Sequence, residues 1–150
     1  MLTDALLQLS SAQIVTASAV STNTVDLSQA RDIGAGNNLF VAITVDEAAT
    51  AAGAATVNFQ VITSAAAALT SPTIIGQTDA IAKTELTLGR KVIVIPIPSA
   101  ILLAQPIGQR YLGVQYTVGT GPLTAGKFSA AIIDEDISVN KNYPSGFTVV

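Results

Sequence analysis

Two stretches in the last third of the chain place apolar residues at every second position, and this pattern limits the possible folds more than any other feature. In RYLGVQYTV, which starts at residue 110, the alternating positions are Leu112, Val114, Tyr116 and Val118. In KFSAAI, which starts at residue 127, they are Phe128, Ala130 and Ile132. A period of two is typical of a β-strand with one buried face. The two stretches, joined by a loop of Gly, Thr and Pro, therefore predict a β-unit.

Shorter stretches elsewhere carry similar strand signals. Strands are predicted at residues 13–22, 23–29, 39–45, 57–63, 73–78 and 91–98, with a further possible strand at 137–140. Segment 79–89 is interpreted as extended chain. The alanine-rich segments 46–56 and 64–72 are interpreted as connections between strands. Pro96 donates no ladder hydrogen bond, so its strand is expected at a sheet edge, or Pro96 itself at a strand end.

The length and the number of strands define the predicted fold class. A chain of 150 residues is the size of one ordinary domain and can bury a core without disulfides. No long helix and no domain boundary is evident. The pattern predicts an all-β fold, a jelly-roll-like antiparallel β-sandwich of about eight or nine short strands, formed by a single domain over residues 1–150.

Both chain ends carry apolar residues that have no place in the strand alternation. The leucines near the start are spaced like one helix face, so residues 1–12 form either an N-terminal arm that packs on a partner or a short helix on its own domain. Residues 141–150 are interpreted as a C-terminal tail. The candidate contact residues at the two ends are Leu2, Leu6, Leu7, Leu9, Tyr143, Pro144 and Phe147. Deleting residues 1–10 is expected to weaken partner binding and to leave the sandwich folded.

The amino-acid composition excludes several kinds of chemistry. The chain contains no His, no Cys and no Trp. It therefore lacks the usual general base, the thiol nucleophile and the commonest transition-metal ligands. We expect a protein that is not an enzyme and that has no cofactor and no small-molecule substrate.

The charge content indicates what the surface meets. Charged residues make up 11% of the chain, with seven basic and ten acidic side chains and a net charge of −3. A soluble domain usually carries about 25% charged residues, so a surface this poor in charge suggests contact with other proteins. The basic residues form no stripe that could follow a phosphate backbone, so no nucleic-acid partner is expected. No apolar run is long enough to span a bilayer, and the start does not resemble a signal peptide.

Acidic residues offer two alternatives to a purely structural function. Asp134, Glu135 and Asp136 could begin a calcium site, but neighbouring strand residues point to opposite faces, so a solvated strand end is favoured. Asp46 and Glu47 could pair with these acids as a glycosidase dyad, which requires two carboxyl groups about 5–10 Å apart. The shortage of aromatic residues speaks against a sugar cleft.

Arg110 and Tyr111 are the remaining candidates for a binding site. Arginine beside an aromatic residue is typical of the anchors that dominate protein interfaces. The alternative is an arginine that only closes the end of a strand. The sequence favours neither.

Several stretches resemble the capsid cement (decoration) proteins of tailed bacteriophages, in particular the type found on a Bordetella short-tailed phage. They are TSPTIIGQTDAI, IPIPSA, RYLGVQYTVGTGPLTAGKFSAAIIDED, the opening MLTDALLQLSSAQIVTASAVSTNTVDLSQARDIGAG and the close NKNYPSGFTV. Each motif is short and of low complexity, but their order and spacing together are fairly specific, and the resemblance covers nearly the whole chain. Departures from relatives are expected in AATAAGAAT and SAILLAQPIGQ.

The resemblance implies a jelly-roll protein made in the host cytoplasm and placed on the outer surface of the capsid. It implies binding to the major capsid protein and to further copies of itself, as a homodimer, which we favour, or a homotrimer, and it carries over no catalytic residue. Two alternatives remain open: another virion component, such as a tail or fibre module, and a carbohydrate-binding jelly roll.

Overall fold

A computed structural model describes residues 4–28, 39–97 and 109–134 and shows two antiparallel sheets packed face to face. Short 3₁₀ turns lie at Ala5–Leu7 and Lys83–Glu85. The ten strands are β1 (Gln8–Ile14), β2 (Ala19–Val20), β3 (Val25–Asp26), β4 (Leu39–Thr50), β5 (Thr56–Ser64), β6 (Thr73–Gln77), β7 (Ile81–Ala82), β8 (Ile93–Ile97), β9 (Tyr111–Gly119) and β10 (Ala125–Ile133).

The order of the strands is that of a jelly roll. Sheet A has the order β1-β10-β4-β8. Sheet B has the order β2-β9-β5-β6, with β3 also paired to β9 and β7 also paired to β5. When β2 with β3 and β6 with β7 are each counted as one interrupted strand, the chain has the eight strands and two four-stranded sheets of that fold. The predicted fold class is confirmed.

The period-two pattern places the core between the sheets. On β9, Leu112, Val114 and Tyr116 are buried, and on β10 Phe128 and Ala130 are buried opposite them. The alternation in both stretches is therefore confirmed. Apolar residues at alternate positions of β4, β5 and β8 complete the same cluster.

Three aromatic rings form the centre of this core. Phe59 meets both Tyr116 and Phe128 edge-on, with ring centroids 5.8 and 5.2 Å apart, and the rings of Tyr116 and Phe128 stack at 5.8 Å. The Tyr116 hydroxyl lies 2.5 Å from the Ser10 hydroxyl, so this buried polar group has a partner. The sandwich is therefore packed through its middle.

The two sheets come into contact along both sides of the sandwich. On one side, the Asn23 amide donates to the Leu9 carbonyl of β1, which ties the β2–β3 segment to sheet A. On the other side, β6 and β8 approach so closely that a Cβ on Gly76 would lie 3.1 Å from the Ile95 side chain. Pro96 lies on β8 at the edge of sheet A, as predicted.

Several parts of the chain differ from the sequence predictions. Segment 79–89 is not extended throughout, because it contains the 3₁₀ turn Lys83–Glu85. Residues 13–22 are not one strand, because β1 ends at Ile14 and β2 begins at Ala19. Residues 46–56 are not one loop, because β4 continues to Thr50 and leaves only residues 51–55 as the connection. The possible strand at 137–140 lies outside the described residues.

The connection between β5 and β6 lies on the outer face of sheet B. Its Leu69 side chain is buried above Gly113, where an added Cβ would collide with the Leu69 Cδ1 atom. The Ser64 hydroxyl donates to the Thr70 carbonyl at 2.7 Å and also accepts the Ala66 amide at 3.1 Å. This segment, which sequence analysis interpreted only as an alanine-rich connection, therefore covers part of sheet B.

The sandwich has two ends with different structures. We call one the Arg110 end: there Asp26 pairs with Tyr111, and Leu39 pairs with Ile97. We call the other the loop end: it is formed by the connections at residues 15–18, 51–55 and 120–124. Strand β9 has nine residues and runs from one end to the other without a bulge, so the ends are roughly 30 Å apart.

Candidate functional site: the two ends of the sandwich

Arg110 and Asp26 form a two-pronged ion pair at the Arg110 end. The Arg110 Nε lies 2.5 Å from Asp26 Oδ1, and its terminal nitrogen donates to Asp26 Oδ2 at 2.6 Å. The guanidinium carbon also lies 5.2 Å from the centre of the Tyr111 ring, within the range of a cation–π contact. Both charged side chains are a little under half exposed.

Backbone hydrogen bonds surround this ion pair. The Leu27 amide donates to the Arg110 carbonyl at 3.0 Å, and the Arg110 amide donates to the Ser64 carbonyl at 3.1 Å. The Asp26 carboxylate accepts the Ser28 amide at 2.7 Å. Arg110 therefore joins β3 to the start of β9. The sequence left open whether Arg110 closes a strand or anchors an interface; the geometry shows the first, while the exposed part of the pair stays accessible to a partner.

The ion pair shifts the pKa of both side chains. The hydrogen bond from Arg110 lowers the pKa of the Asp26 carboxyl below its usual 3.8, against the smaller opposing effect of burial, and the bond from Ser28 lowers it further. The same hydrogen bond raises the pKa of the Arg110 guanidinium. Both groups therefore stay charged near neutral pH.

The N-terminal leucines have three different environments. Leu9 is fully buried in the core, and Leu7 is partly buried against it. Leu6 is 84% exposed on the 3₁₀ turn, where the Asp4 carboxylate accepts the Leu6 amide at 2.9 Å. Leu6 is thus an exposed apolar side chain on a capped turn.

The prediction of an N-terminal arm over residues 1–12 is therefore wrong for its second half. Residues 8–12 belong to β1, which pairs with β10 inside sheet A. Leu6 lies on the 3₁₀ turn and Leu9 on β1, so the helix-like spacing of the leucines spans two different elements. Leu9 therefore belongs to the core and not to a contact surface. Four other candidate contact residues lie outside the described residues: Leu2, Tyr143, Pro144 and Phe147.

Asp46 and Glu47 lie far from Asp134, the one residue of the acidic run that the structure describes. Asp46 accepts a hydrogen bond from Ser129 at 2.6 Å, and Glu47 lies 2.7 Å from the Lys127 ammonium. Asp134 follows the far end of β10, because Ile133 pairs with Phe40 at the start of β4. Seven strand positions separate Asp46 from the position opposite Asp134, which corresponds to about 20 Å, twice the longest span of a glycosidase pair.

The described ranges offer no cation site of the kind the acidic run suggested. Among these residues, no group of three or more His, Cys, Asp or Glu side chains could hold a metal ion. Of the acidic run, Asp134 is exposed, and Glu135 and Asp136 lie outside the described residues. Within the same ranges, no helix has the length and apolar character needed to cross a bilayer.

Sequence reasoning missed the loop end. Its nine tip residues are all exposed and uncharged, and none is larger than threonine; they are Thr16, Ala17, Ser18, Ala52, Gly53, Ala54, Thr120, Gly121 and Pro122. Each of the three loops has one buried anchor in the core, at Val15, Ala55 or Leu123. In the sequence, this end is indicated only weakly, by three short segments of small residues. These segments are far apart along the chain and come together only in the folded structure.

The described part of the chain matches one family. The match to the Bbp16 family covers residues 9–132, which runs from the first fully buried residue of β1 to the penultimate residue of β10. No curated protein matches the chain. The family takes its name from a Bordetella phage protein, so the sandwich is that of a phage-type protein. Because the match spans the whole sandwich, the chain belongs to the Bbp16 family.

Proposed function

We propose that the chain is a structural protein of the phage particle, which binds the outer surface of the icosahedral shell, bridges neighbouring major capsid proteins and stabilises the mature head. The family match over residues 9–132 carries this proposal. It is further supported by the β-sandwich fold and by the low charge content of the chain.

The Arg110 end supplies the first proposed contact surface. Leu6 presents an apolar side chain on a capped turn, and Tyr111 with Arg110 presents an aromatic ring beside a cation. Residues of these types are enriched at the centres of protein interfaces. Because the Arg110–Asp26 pair is already formed, a partner meets a preorganised surface and loses less side-chain freedom on binding.

The physics of a repeating shell favours this arrangement. One small contact of about 800 Å² per partner gives only modest affinity. Several contacts on one lattice act together, because each bound site raises the effective concentration of the next. A protein that binds only the mature shell stabilises that shell by mass action. Binding to further copies of the chain, with a homodimer preferred, adds contacts of the same kind. No catalytic step is needed for this function.

Electron microscopy of labelled particles tests the proposal. Antibodies against the chain should decorate intact heads evenly, and heads assembled without the chain should release DNA at lower temperature than complete heads. Label confined to the tail or fibres would assign the chain to another part of the virion, and heads of unchanged stability would remove the cementing function.

A further inference from the structure

We propose that the connection between β5 and β6, residues 65–72, is a strap that opens as a unit while the rest of the sandwich stays folded. In its closed state the strap covers part of the outer face of sheet B. In its open state it uncovers apolar side chains of that face. The motion belongs to the single chain and does not depend on the proposed function.

The apolar residues at the strap are separate from the core. Ile62 and Leu69 are 0% and 2% exposed, yet both lie outside the apolar cluster between the sheets. Ile62 points away from that cluster, because its neighbour Val61 belongs to it. Gly113 pairs directly with Ile62, and Leu69 lies above Gly113. The strap therefore covers a second, smaller apolar site on the outer face of sheet B.

A single buried side chain attaches the strap to the sheet. Among residues 65–72, all of which the structure describes, Leu69 alone is buried. The Leu69 amide donates to the Ala66 carbonyl at 2.9 Å, and the Ser64 hydroxyl donates to the Thr70 carbonyl at 2.7 Å. Both bonds lie within residues 64–70, so their loss breaks no strand pair. A segment with so few buried contacts opens at a lower free energy than the core.

The closed strap also holds two residues in unfavourable backbone conformations. Leu69 and Ser71 have φ values of 54° and 47°, in the left-handed region that residues other than glycine rarely adopt. Ser71 also precedes Pro72, and proline favours an extended conformation in the residue before it. Such conformations persist only where the surrounding contacts enforce them. Release of Leu69 relaxes them, which favours opening of the strap over unfolding of the sandwich.

The two ends of the strap are fixed. At one end, the Ser64 carbonyl accepts the Arg110 amide at 3.1 Å. At the other end, Thr73 of β6 pairs with Thr63 of β5. The strands on both sides of the strap are therefore joined to the sheet, and the moving part is limited to the residues between them.

Opening enlarges an apolar surface that is already present. Ile74 on β6 is 48% exposed and pairs directly with Ile62. When the strap is open, Ile62, Leu69 and Ile74 are all accessible to solvent. The strap therefore controls how much apolar surface the outer face of sheet B presents.

Thiol labelling tests the strap directly, because the chain contains no cysteine. Ile62→Cys places a thiol beside the strap, and the matched control Val61→Cys places one in the core at the preceding position of the same strand; both positions are 0% exposed. The thiol of Ile62→Cys should react roughly a hundredfold faster or more, because it needs only local opening. Its rate should hardly change in low urea, whereas the rate of Val61→Cys should rise steeply, because global unfolding exposes far more surface.

A core substitution far from the strap separates the two motions further. Ile132→Val removes one methyl group from the core on β10. Added to Val61→Cys, it should speed labelling by about two- to tenfold, because it destabilises the whole sandwich. Added to Ile62→Cys, it should leave the rate unchanged.

Equal labelling rates of Ile62→Cys and Val61→Cys, with the same dependence on urea, would overturn the proposal, because the strap would then open only with the whole sandwich. Hydrogen exchange of the wild type guards against loosening of the strap by Ile62→Cys itself. The Leu69 amide should exchange at a rate that hardly depends on urea, as expected for local opening. Exchange of this amide that rises with urea as steeply as that of the core amides would likewise overturn the proposal.

Discussion

The Leu69 side chain fills the space that a Cβ on residue 113 would occupy, so the connection between β5 and β6 can cover sheet B only because β9 carries glycine at that position. The Ser21 hydroxyl lies on the same spot, 2.9 Å from the position of that Cβ. Ser21 also accepts the Val114 amide at 3.1 Å and so holds β9 to the segment after β2. Gly113 is therefore the point at which two separate segments meet the sheet.

Gly113→Ala should destabilise the protein, because the new methyl group overpacks this site. The expected loss is about 1–3 kcal/mol in the free energy of unfolding, measured by urea denaturation. Leu69→Ala alone should cost about 2–5 kcal/mol. The double variant should lose clearly less than the sum, because the smaller side chain makes room for the methyl group. Strict additivity would show that Leu69 does not cover Gly113.

Tyr116 should make the protein less stable at high pH. Burial raises the pKa of its hydroxyl to about 12, from 10.0 in the unfolded chain, although the hydrogen bond with Ser10 opposes the shift. Between these values the unfolded state has lost the proton and the folded state still holds it, so stability falls as pH rises. The loss should reach about 2 kcal/mol by pH 12. Tyr116→Phe should remove this part of the pH dependence, and an unchanged dependence would contradict the burial of the hydroxyl.

Asp26→Asn should loosen β3 from β9. The change removes the charge that pairs with Arg110, so the Leu27 amide, which donates to the Arg110 carbonyl, should exchange its hydrogen faster. In the wild type, the lowered pKa of Asp26 means that the stabilisation is present above pH 3.8 and is lost as pH falls below it.

The matched control for this change is Glu47→Gln, which removes the other described strand-to-strand ion pair, with Lys127. It should leave exchange at Leu27 unchanged. Equal effects of the two substitutions would mean that net charge, and not the local pair, holds β3 in place.

A deletion that tests the N-terminal contact must be shorter than the removal of residues 1–10 that the sequence suggested. Removal of residues 1–10 should destabilise the sandwich, because it deletes the buried Leu9 and the Ser10 partner of Tyr116. Loss of a buried leucine alone costs about 2–5 kcal/mol. Removal of residues 1–6 should leave the melting temperature nearly unchanged and weaken binding to heads, because it takes away the exposed Leu6. Full occupancy of heads by this shorter variant would exclude the turn from the contact.

The sequence predicted those strands along which apolar residues occupy every second position without interruption. β9 and β10 followed directly from their period of two, and Pro96 correctly placed β8 at an edge. β1 was missed because its register shifts, together with the positive φ of Ala12, break the alternation. Such a bulge depends on the partner strand β10, which local sequence does not reveal.

Long-range pairing explains the remaining differences. Asp46 and Glu47 looked like the start of a loop, but Ser129 and Lys127 on β10 bind their carboxylates and let β4 continue to Thr50. The loop end likewise brings together segments more than 100 residues apart in sequence, as Thr16 and Leu123 show. Arg110 was identified as a candidate because Tyr111 follows it in the sequence. Its partner Asp26 could not be identified in this way, because it lies 84 residues away.

A cryo-EM map of purified virions would show whether the sandwich lies on the shell. We expect a jelly-roll sandwich on the outer surface of the shell, with the Arg110 end in contact with the major capsid protein. A map in which the shell carries no such sandwich, or in which the sandwich is found only on the tail, would contradict it.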